Sequence, residues 1–167
     1  MRRLIMLVPM LALAIVAPVP SATAGDNFVA VLSGADEIPA RDTQARGVAT
    51  VKLRDDGAAL LFKINVANLE NAAAAHIHCG TDVVNGPVGV TLFAGTPGGG
   101  LVNGTLAEGT VTAPDAGNAC GWTDLAAVLA ALESGNTYVN VHTNDGVPPT
   151  NTGPGDFPGG EIRGQVR

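Results

Sequence analysis

The stretch GVATVKLRDDGAALLFKINV, residues 47–66, has the pattern of two strands on either side of a turn. Along Gly47–Arg54 and again along Ala59–Val66, successive side chains would lie on opposite faces of an extended chain. The intervening Asp55-Asp56-Gly57 suits a tight turn, because Asp and Gly tolerate the positive φ that hairpin turns require. The stretch therefore predicts an antiparallel hairpin.

Strand patterns recur outside this hairpin at short intervals, with Gly- and Pro-rich links such as Thr96–Gly100 and Asp145–Gly160 between them. Short strands with turn-rich connections are typical of an all-β domain. We expect a single antiparallel Greek-key-like β-sandwich or barrel with one short helix. The further predicted strands are Asn27–Ser33, Ala74–Cys79, Val88–Phe93, Thr105–Thr112, Thr137–Thr143 and Glu161–Val166.

One helix is predicted, between the strand patterns Thr105–Thr112 and Thr137–Thr143. Thr123 is placed to cap its N-terminus, Asp124 suits the positive end of its dipole, and Gly135 fits the position after its C-terminus. The apolar residues at helical spacing are Leu125, Val128, Leu129 and Leu132.

The composition excludes several classes of protein. With 22 Gly and 11 Pro in 167 residues, the chain is poorly suited to a coiled coil or a helical bundle, because both residues interrupt helices. The net charge of −6 argues against binding to nucleic acid, which needs a basic surface. Hydrophobic residues make up 46% of the chain, which is enough for one core and argues against disorder.

The first 24 residues have the three parts of a secretory signal peptide. Arg2 and Arg3 give a positive start, Leu4–Ala17 is apolar, and Ala22-Thr23-Ala24 fits a cleavage site of small residues. A membrane-spanning helix needs about 20 apolar residues, so this run is too short. We therefore expect a signal peptide over 1–24, a mature domain over 25–167 without a transmembrane segment, and a secreted protein, either extracellular or periplasmic.

Cys79 and Cys120 are the two cysteines of the chain. In an exported protein an even number of cysteines favours a disulfide, here between the end of a predicted strand and the loop before the helix. The alternative is two separately buried thiols.

The three histidines are the candidate ligands for a metal ion. In Ala74–Cys79, His76 and His78 share one strand face, and in Thr137–Thr143, His142 lies on the face opposite the apolar residues. If the two strands are neighbours in suitable register, we expect the three imidazoles to converge on the outside of the domain. Three nitrogen ligands suit copper or zinc. The alternative is that these histidines hold loops in place through hydrogen bonds to loop carbonyls.

Five blocks of sequence, in this order, resemble the CHRD domain, a module named from chordin and also found in bacterial secreted proteins. This resemblance covers nearly the whole mature chain and implies an all-β extracellular domain; segment Asn144–Asp156 looks like an insertion. The blocks are Leu32–Pro39, Ala75–His78, Asn85–Val88, Tyr138–Thr143 and Gly159–Val166.

A fainter similarity is to copper–zinc superoxide dismutase, a Greek-key β-sandwich. The pairs His76/His78 and Val141/His142 look like its copper-ligand strands, and Arg163 is placed somewhat like its active-site arginine. The bridging histidine and the zinc-ligand loop of that family are missing from this sequence.

Two functional hypotheses follow. The first is an exported, non-enzymatic module that acts in binding or structure outside the cell or at the cell envelope, with an unknown partner. The second is a metal-binding protein that holds copper or zinc through His76, His78 and His142. In one version of this hypothesis the bound metal also carries out redox chemistry like that of superoxide dismutase.

Overall fold

The computed structural model describes residues 27–167, so the expected signal peptide, residues 1–24, lies outside the described residues. The described chain contains the helix α1 (Leu125–Glu133) and a 3₁₀ turn (Gly34–Asp36). Its strands are β1 (Asn27–Ser33), β2 (Arg46–Leu53), β3 (Leu60–Glu70), β4 (Ala72–Cys79), β5 (Val88–Ala94), β6 (Leu101–Val111), β7 (Thr137–Thr143) and β8 (Ile162–Gln165).

The eight strands form one antiparallel sheet in the order β5-β4-β7-β8-β1-β2-β3-β6. The sheet curls until its edge strands β5 and β6 approach each other, which gives a nearly closed barrel. The neighbours β4–β7, β8–β1 and β3–β6 are not consecutive in the chain, so crossover connections of the Greek-key kind are needed. The expected all-β fold is confirmed, in its barrel-like form.

The hairpin over residues 47–66 is present as the pair β2–β3. Its strands end in register at the pair Leu53 and Leu60, and the amide of Arg54 donates to the carbonyl of Ala59 across the turn. Gly57 has a φ of 70°, the left-handed conformation that glycine adopts without strain.

The hydrophobic core fills the inside of the barrel. Buried and exposed residues alternate along β1 and β2, because successive side chains of a strand point to opposite faces. Helix α1 adds Val128 and Leu132 to the same core. The core residues that matter most for the site are on the two strands that carry the histidines: Ala75, Ile77, Val139 and Val141.

The N-cap of α1 corrects the sequence prediction by one residue. Asp124, and not Thr123, is the N-cap, and its side chain accepts a hydrogen bond from the amide of Ala127 at 2.9 Å. The Asp124 carboxylate also accepts a hydrogen bond from the Thr123 hydroxyl. Thr123 therefore orients the capping residue and is not itself the cap. Gly135 follows the helix with a φ of 69°, as expected.

Within residues 27–167, no helix has the length and apolar character that crossing a membrane would require.

Candidate metal centre

The three histidines lie on two neighbouring strands. In the antiparallel pair β4–β7, His76 is opposite Asn140, and His142 is opposite Ala74. Strand alternation places His76, His78 and His142 on the outer face of the sheet, away from the core. The register condition that the sequence left open is therefore met.

The three imidazoles converge as expected. Ring centroids are 4.9 Å apart for His76 and His142, 5.6 Å for His76 and His78, and 5.9 Å for His78 and His142. One nitrogen from each ring lies within 4.8 Å of the other two. Tetrahedral bonds of 2.0–2.1 Å place two ligand atoms about 3.3 Å apart, so the rings would need to close by about 1.5 Å at most to share an ion.

Hydrogen bonds to carbonyl groups fix the tautomers of two rings. His78 Nδ1 lies 2.9 Å from the carbonyl oxygen of Gly86, and His142 Nδ1 lies 2.8 Å from that of Pro158. A carbonyl oxygen can only accept, so each Nδ1 carries the proton and donates. In both neutral rings the lone pair is therefore on Nε2.

Each of the three rings has one nitrogen without a partner among the described residues. His78 Nε2, His142 Nε2 and His76 Nδ1 are all buried without a hydrogen bond there. A buried nitrogen without a partner costs free energy, which binding of a metal ion would recover. Carbonyls that hold the far nitrogen of a ligand histidine are the usual outer shell of a metal site.

Burial keeps the rings neutral at pH 7. It lowers the pKa of His76 and of His78 to about 4, with the nearby His142 lowering both further and the Gly86 carbonyl opposing this at His78. Burial also lowers the pKa of His142, against the effect of its bond to Pro158. Neutral imidazole is the form that binds metal ions.

Loops cover the outer face of the sheet at this point, which the sequence did not predict. His78 is only 7% exposed, because residues 80–87 fold over it. The alternative role of the histidines, holding loops, is also present, since both carbonyl partners belong to loops. The carbonyl that His142 holds is Pro158, just beyond the Asn144–Asp156 segment.

A stack of three side chains supports the covering loop. The rings of His78 and Tyr138 are parallel at 4.7 Å, and the guanidinium of Arg163 lies 3.4 Å above the Tyr138 ring. Since β4 and β8 flank β7 on opposite sides, the Tyr138 ring separates Arg163 from the histidines. Arg163 is 1% exposed, and its NH groups donate to loop groups of Thr81, Val84 and Asn85. Arg163 thus holds the loop and is not open to the three histidines.

Sequence reasoning missed Glu37 and Asn140, which form a buried pair beside the histidines. Asn140 Nδ2 donates to Glu37 Oε1 at 2.7 Å, and both side chains are at most 5% exposed. Burial raises the pKa of Glu37 to about 7, although Arg163 and Arg41 lower it. The two residues are far apart in the sequence, so no local pattern indicates this contact.

The disulfide Cys79–Cys120 is present, with a Cα separation of 5.8 Å. It joins the residue after His78 to the loop before α1, as expected. The bridge therefore anchors the strand that supplies two of the three histidines.

The profile of the CHRD domain family matches residues 28–166 of this chain. The chain belongs to the CHRD domain family. No curated protein and no solved structure shows significant similarity to it.

The five blocks that carry the CHRD resemblance meet at the histidine cluster. Each block contributes to the cluster or to its cover, although the blocks are dispersed over the whole domain. The contributions are Glu37, the pair His76 and His78, Gly86, the run from Tyr138 to His142, and Arg163. In this CHRD domain, the five blocks that carry the resemblance therefore come together at one place on the barrel. The Asn144–Asp156 segment follows β7 and leaves His142 within its strand.

Proposed function

We propose that this CHRD domain is an exported module that binds one copper or zinc ion through His76 Nδ1, His78 Nε2 and His142 Nε2. The observation that carries the proposal is the convergence of three imidazoles, each of which has a buried nitrogen for which residues 27–167 supply no hydrogen bond. All three rings are neutral at pH 7, so no proton has to be displaced. Metal binding agrees with the non-enzymatic module that the sequence favours.

The donor set favours transition metals over calcium or magnesium. Imidazole suits copper and zinc, whereas the other two ions require oxygen ligands. Asp82 and Asp145, the carboxylates nearest in sequence, do not belong to the cluster that the described residues form. Of the two metals, Cu²⁺ binds a given nitrogen site more tightly than Zn²⁺.

Export is supported by the disulfide and by the leader pattern. A disulfide forms and persists in an oxidising compartment such as the periplasm or the extracellular space. The proposed place of action is therefore outside the cytoplasm.

Calorimetric titration of the metal-free mature protein with Cu²⁺ and Zn²⁺ tests the site. We expect one ion per chain, and at least about a tenfold weaker affinity in His78→Phe, which keeps a ring against Tyr138 but removes the nitrogen. Asp82→Asn, which changes an exposed carboxylate on the covering loop, is the matched control and should bind like the wild type. Equal and weak binding by the wild type and His78→Phe would contradict the metal site. The histidines would then serve only to hold loops through hydrogen bonds to carbonyl groups.

A further inference from the structure

The three histidines form a donor set without a negative charge. His76, His78 and His142 bring three neutral imidazoles together, and no carboxylate or thiolate of residues 27–167 belongs to the cluster. The two cysteines, whose thiolates would be softer ligands, are joined in the disulfide. The ligands therefore neutralise none of the charge of a bound ion, whether it is a dication such as Cu²⁺ or Zn²⁺ or the monocation Cu⁺.

Burial makes a dication costly at this site. His78 is 7% exposed, and each of the three rings has a nitrogen that is shielded from solvent. The Born free energy of moving an ion out of water rises with the square of its charge, so a dication loses about four times as much hydration free energy as a monocation of equal size. A buried charge is normally paired with an opposite charge, and this cluster contains none.

The charged side chains that act on the rings offset each other. Asp115 accepts hydrogen bonds from the amide and the hydroxyl of Thr91, which is directly opposite His76 in the pair β4–β5. Burial lowers the pKa of His76, and the Asp115 carboxylate acts against it. Burial also lowers the pKa of His78, and the guanidinium of Arg163 adds to this. One negative and one positive charge thus act on the cluster, and together they leave the charge of a dication uncompensated.

The number of ligands points the same way. Cu²⁺ prefers a tetragonal arrangement and Zn²⁺ a tetrahedral one, whereas Cu⁺, with its filled d shell, is stable at lower coordination numbers. Within residues 27–167 no fourth His, Cys, Asp or Glu joins the cluster. The carbonyls of Gly86 and Pro158 hold two of the rings, which resists their rearrangement into a plane. A site that suits the reduced ion better than the oxidised one raises the reduction potential.

We propose that the three histidines form a site for monovalent copper, which binds there more tightly than Cu²⁺ or Zn²⁺. This inference rests on the proposed metal site and names the ion that it holds. The reduction potential of the bound copper is then higher than that of the aqueous ion. The domain holds reduced copper in an oxidising compartment, beneath the loop over residues 80–87 that covers His78.

The composition of the mature chain makes binding of Cu⁺ a specific test. Cu⁺ binds sulfur or imidazole ligands, and residues 25–167 contain no methionine. The three methionines, Met1, Met6 and Met10, all lie in the leader. Since both cysteines are in the disulfide, tight binding of Cu⁺ by the mature protein reports on the histidines.

Two competition titrations of the metal-free mature protein measure the preference. Cu⁺ is kept reduced with ascorbate without oxygen and competed with bicinchoninate, and Cu²⁺ is competed with glycine without reductant. Thiol labelling under denaturing conditions checks that the disulfide stays intact. We expect the affinity for Cu⁺ to exceed that for Cu²⁺ by at least about tenfold, which places the reduction potential about 59 mV or more above that of aqueous copper. His78→Phe should weaken the binding of Cu⁺ by at least about tenfold.

Asp115→Asn tests the electrostatic basis of the preference. This variant removes the negative charge that acts on His76 but keeps an oxygen that accepts from Thr91. A dication interacts with a neighbouring charge twice as strongly as a monocation, so the ratio of Cu⁺ to Cu²⁺ affinity should rise about two- to fivefold. A purely structural effect would change both affinities alike. Asp82→Asn is the matched control and should leave the ratio unchanged, because that carboxylate does not act on the three rings.

The outcomes separate the two proposals. If the wild type binds Cu²⁺ or Zn²⁺ at the histidines as tightly as Cu⁺, the preference for monovalent copper is wrong and the metal site stands. An equal affinity ratio in the wild type and Asp115→Asn would overturn the electrostatic basis of the preference. If the wild type binds none of the three ions more tightly than His78→Phe does, both proposals fail together.

Discussion

Glu37 is the residue whose protonation should be most visible in the stability of the metal-free domain. Burial raises its pKa from 4.5 to about 7, so between these pH values the folded chain holds a proton that the unfolded chain has released. Below pH 4.5 both states hold the proton and the stability is at its highest; it falls as the pH rises from 4.5 to about 7, and above that the folded state carries the full cost of a buried carboxylate.

Glu37→Gln removes this dependence. Between pH 4.5 and 8 we expect the free energy of unfolding of the variant to rise relative to the wild type, by on the order of 3 kcal/mol. The lowered pKa values of His76 and His78 act in the opposite direction, destabilising the fold in acid, but they are common to both proteins and cancel. Urea denaturation at several pH values measures the difference. A difference that is constant with pH would show that Glu37 ionises in the folded state as it does in the unfolded chain.

At the scale of residues, strand alternation was enough to predict that the three histidines share the outer face. It could not predict what covers them, because the cover comes from loops whose path depends on the whole barrel. The contact between Asn140 and Glu37 spans 103 positions in the sequence, and no periodicity relates residues that far apart. Such pairs become visible only when the strand order is known.

At the scale of elements, the predicted strands are all present, and the errors lie at their ends. The predicted third strand stopped at Val66, whereas β3 continues to Glu70. Register shifts on both sides of Val66 break the alternation there, and Asn68 adopts a positive φ of 54°. A prediction based on strict alternation of side chains ends the strand at this bulge. The hydrogen-bonded pairing of β3 with β6 nevertheless resumes beyond it.

The disulfide is the covalent link between two of these elements. It closes a loop over a sequence separation of 41, so the chain-entropy model gives a stabilisation of about 4 kcal/mol. In the double variant Cys79→Ser/Cys120→Ser we expect the free energy of unfolding to fall by that amount, measured by urea denaturation without reductant. The wild type in the presence of reductant is the control and should match the variant. An unchanged free energy in both would mean that the chain entropy of this loop does not contribute to stability.

At the scale of the whole molecule, the sequence left a sandwich and a barrel open. Local patterns give strands but not their neighbours, and the choice depends on the non-consecutive pairs β4–β7 and β8–β1. The first pair brings the histidines together, and the second brings Glu37 to the other side of β7. The candidate site is thus a consequence of the topology as much as of the motifs.

Export is the last expectation at this scale, and it concerns residues before the described part of the chain. The CHRD match begins at residue 28, just after the leader pattern ends at Ala24. Since signal peptidase requires small side chains at the first and third positions before the cut, Ala24→Leu should leave the leader attached. Thr23→Leu is the matched control, because the position between them tolerates larger residues, and this variant should be cleaved like the wild type. Mass spectrometry of the exported protein should show Gly25 at the N-terminus of the wild type and of Thr23→Leu. A wild-type chain recovered from the cytoplasm with residues 1–24 still attached would contradict export, and with it the compartment in which the proposed metal site and the disulfide are expected to form.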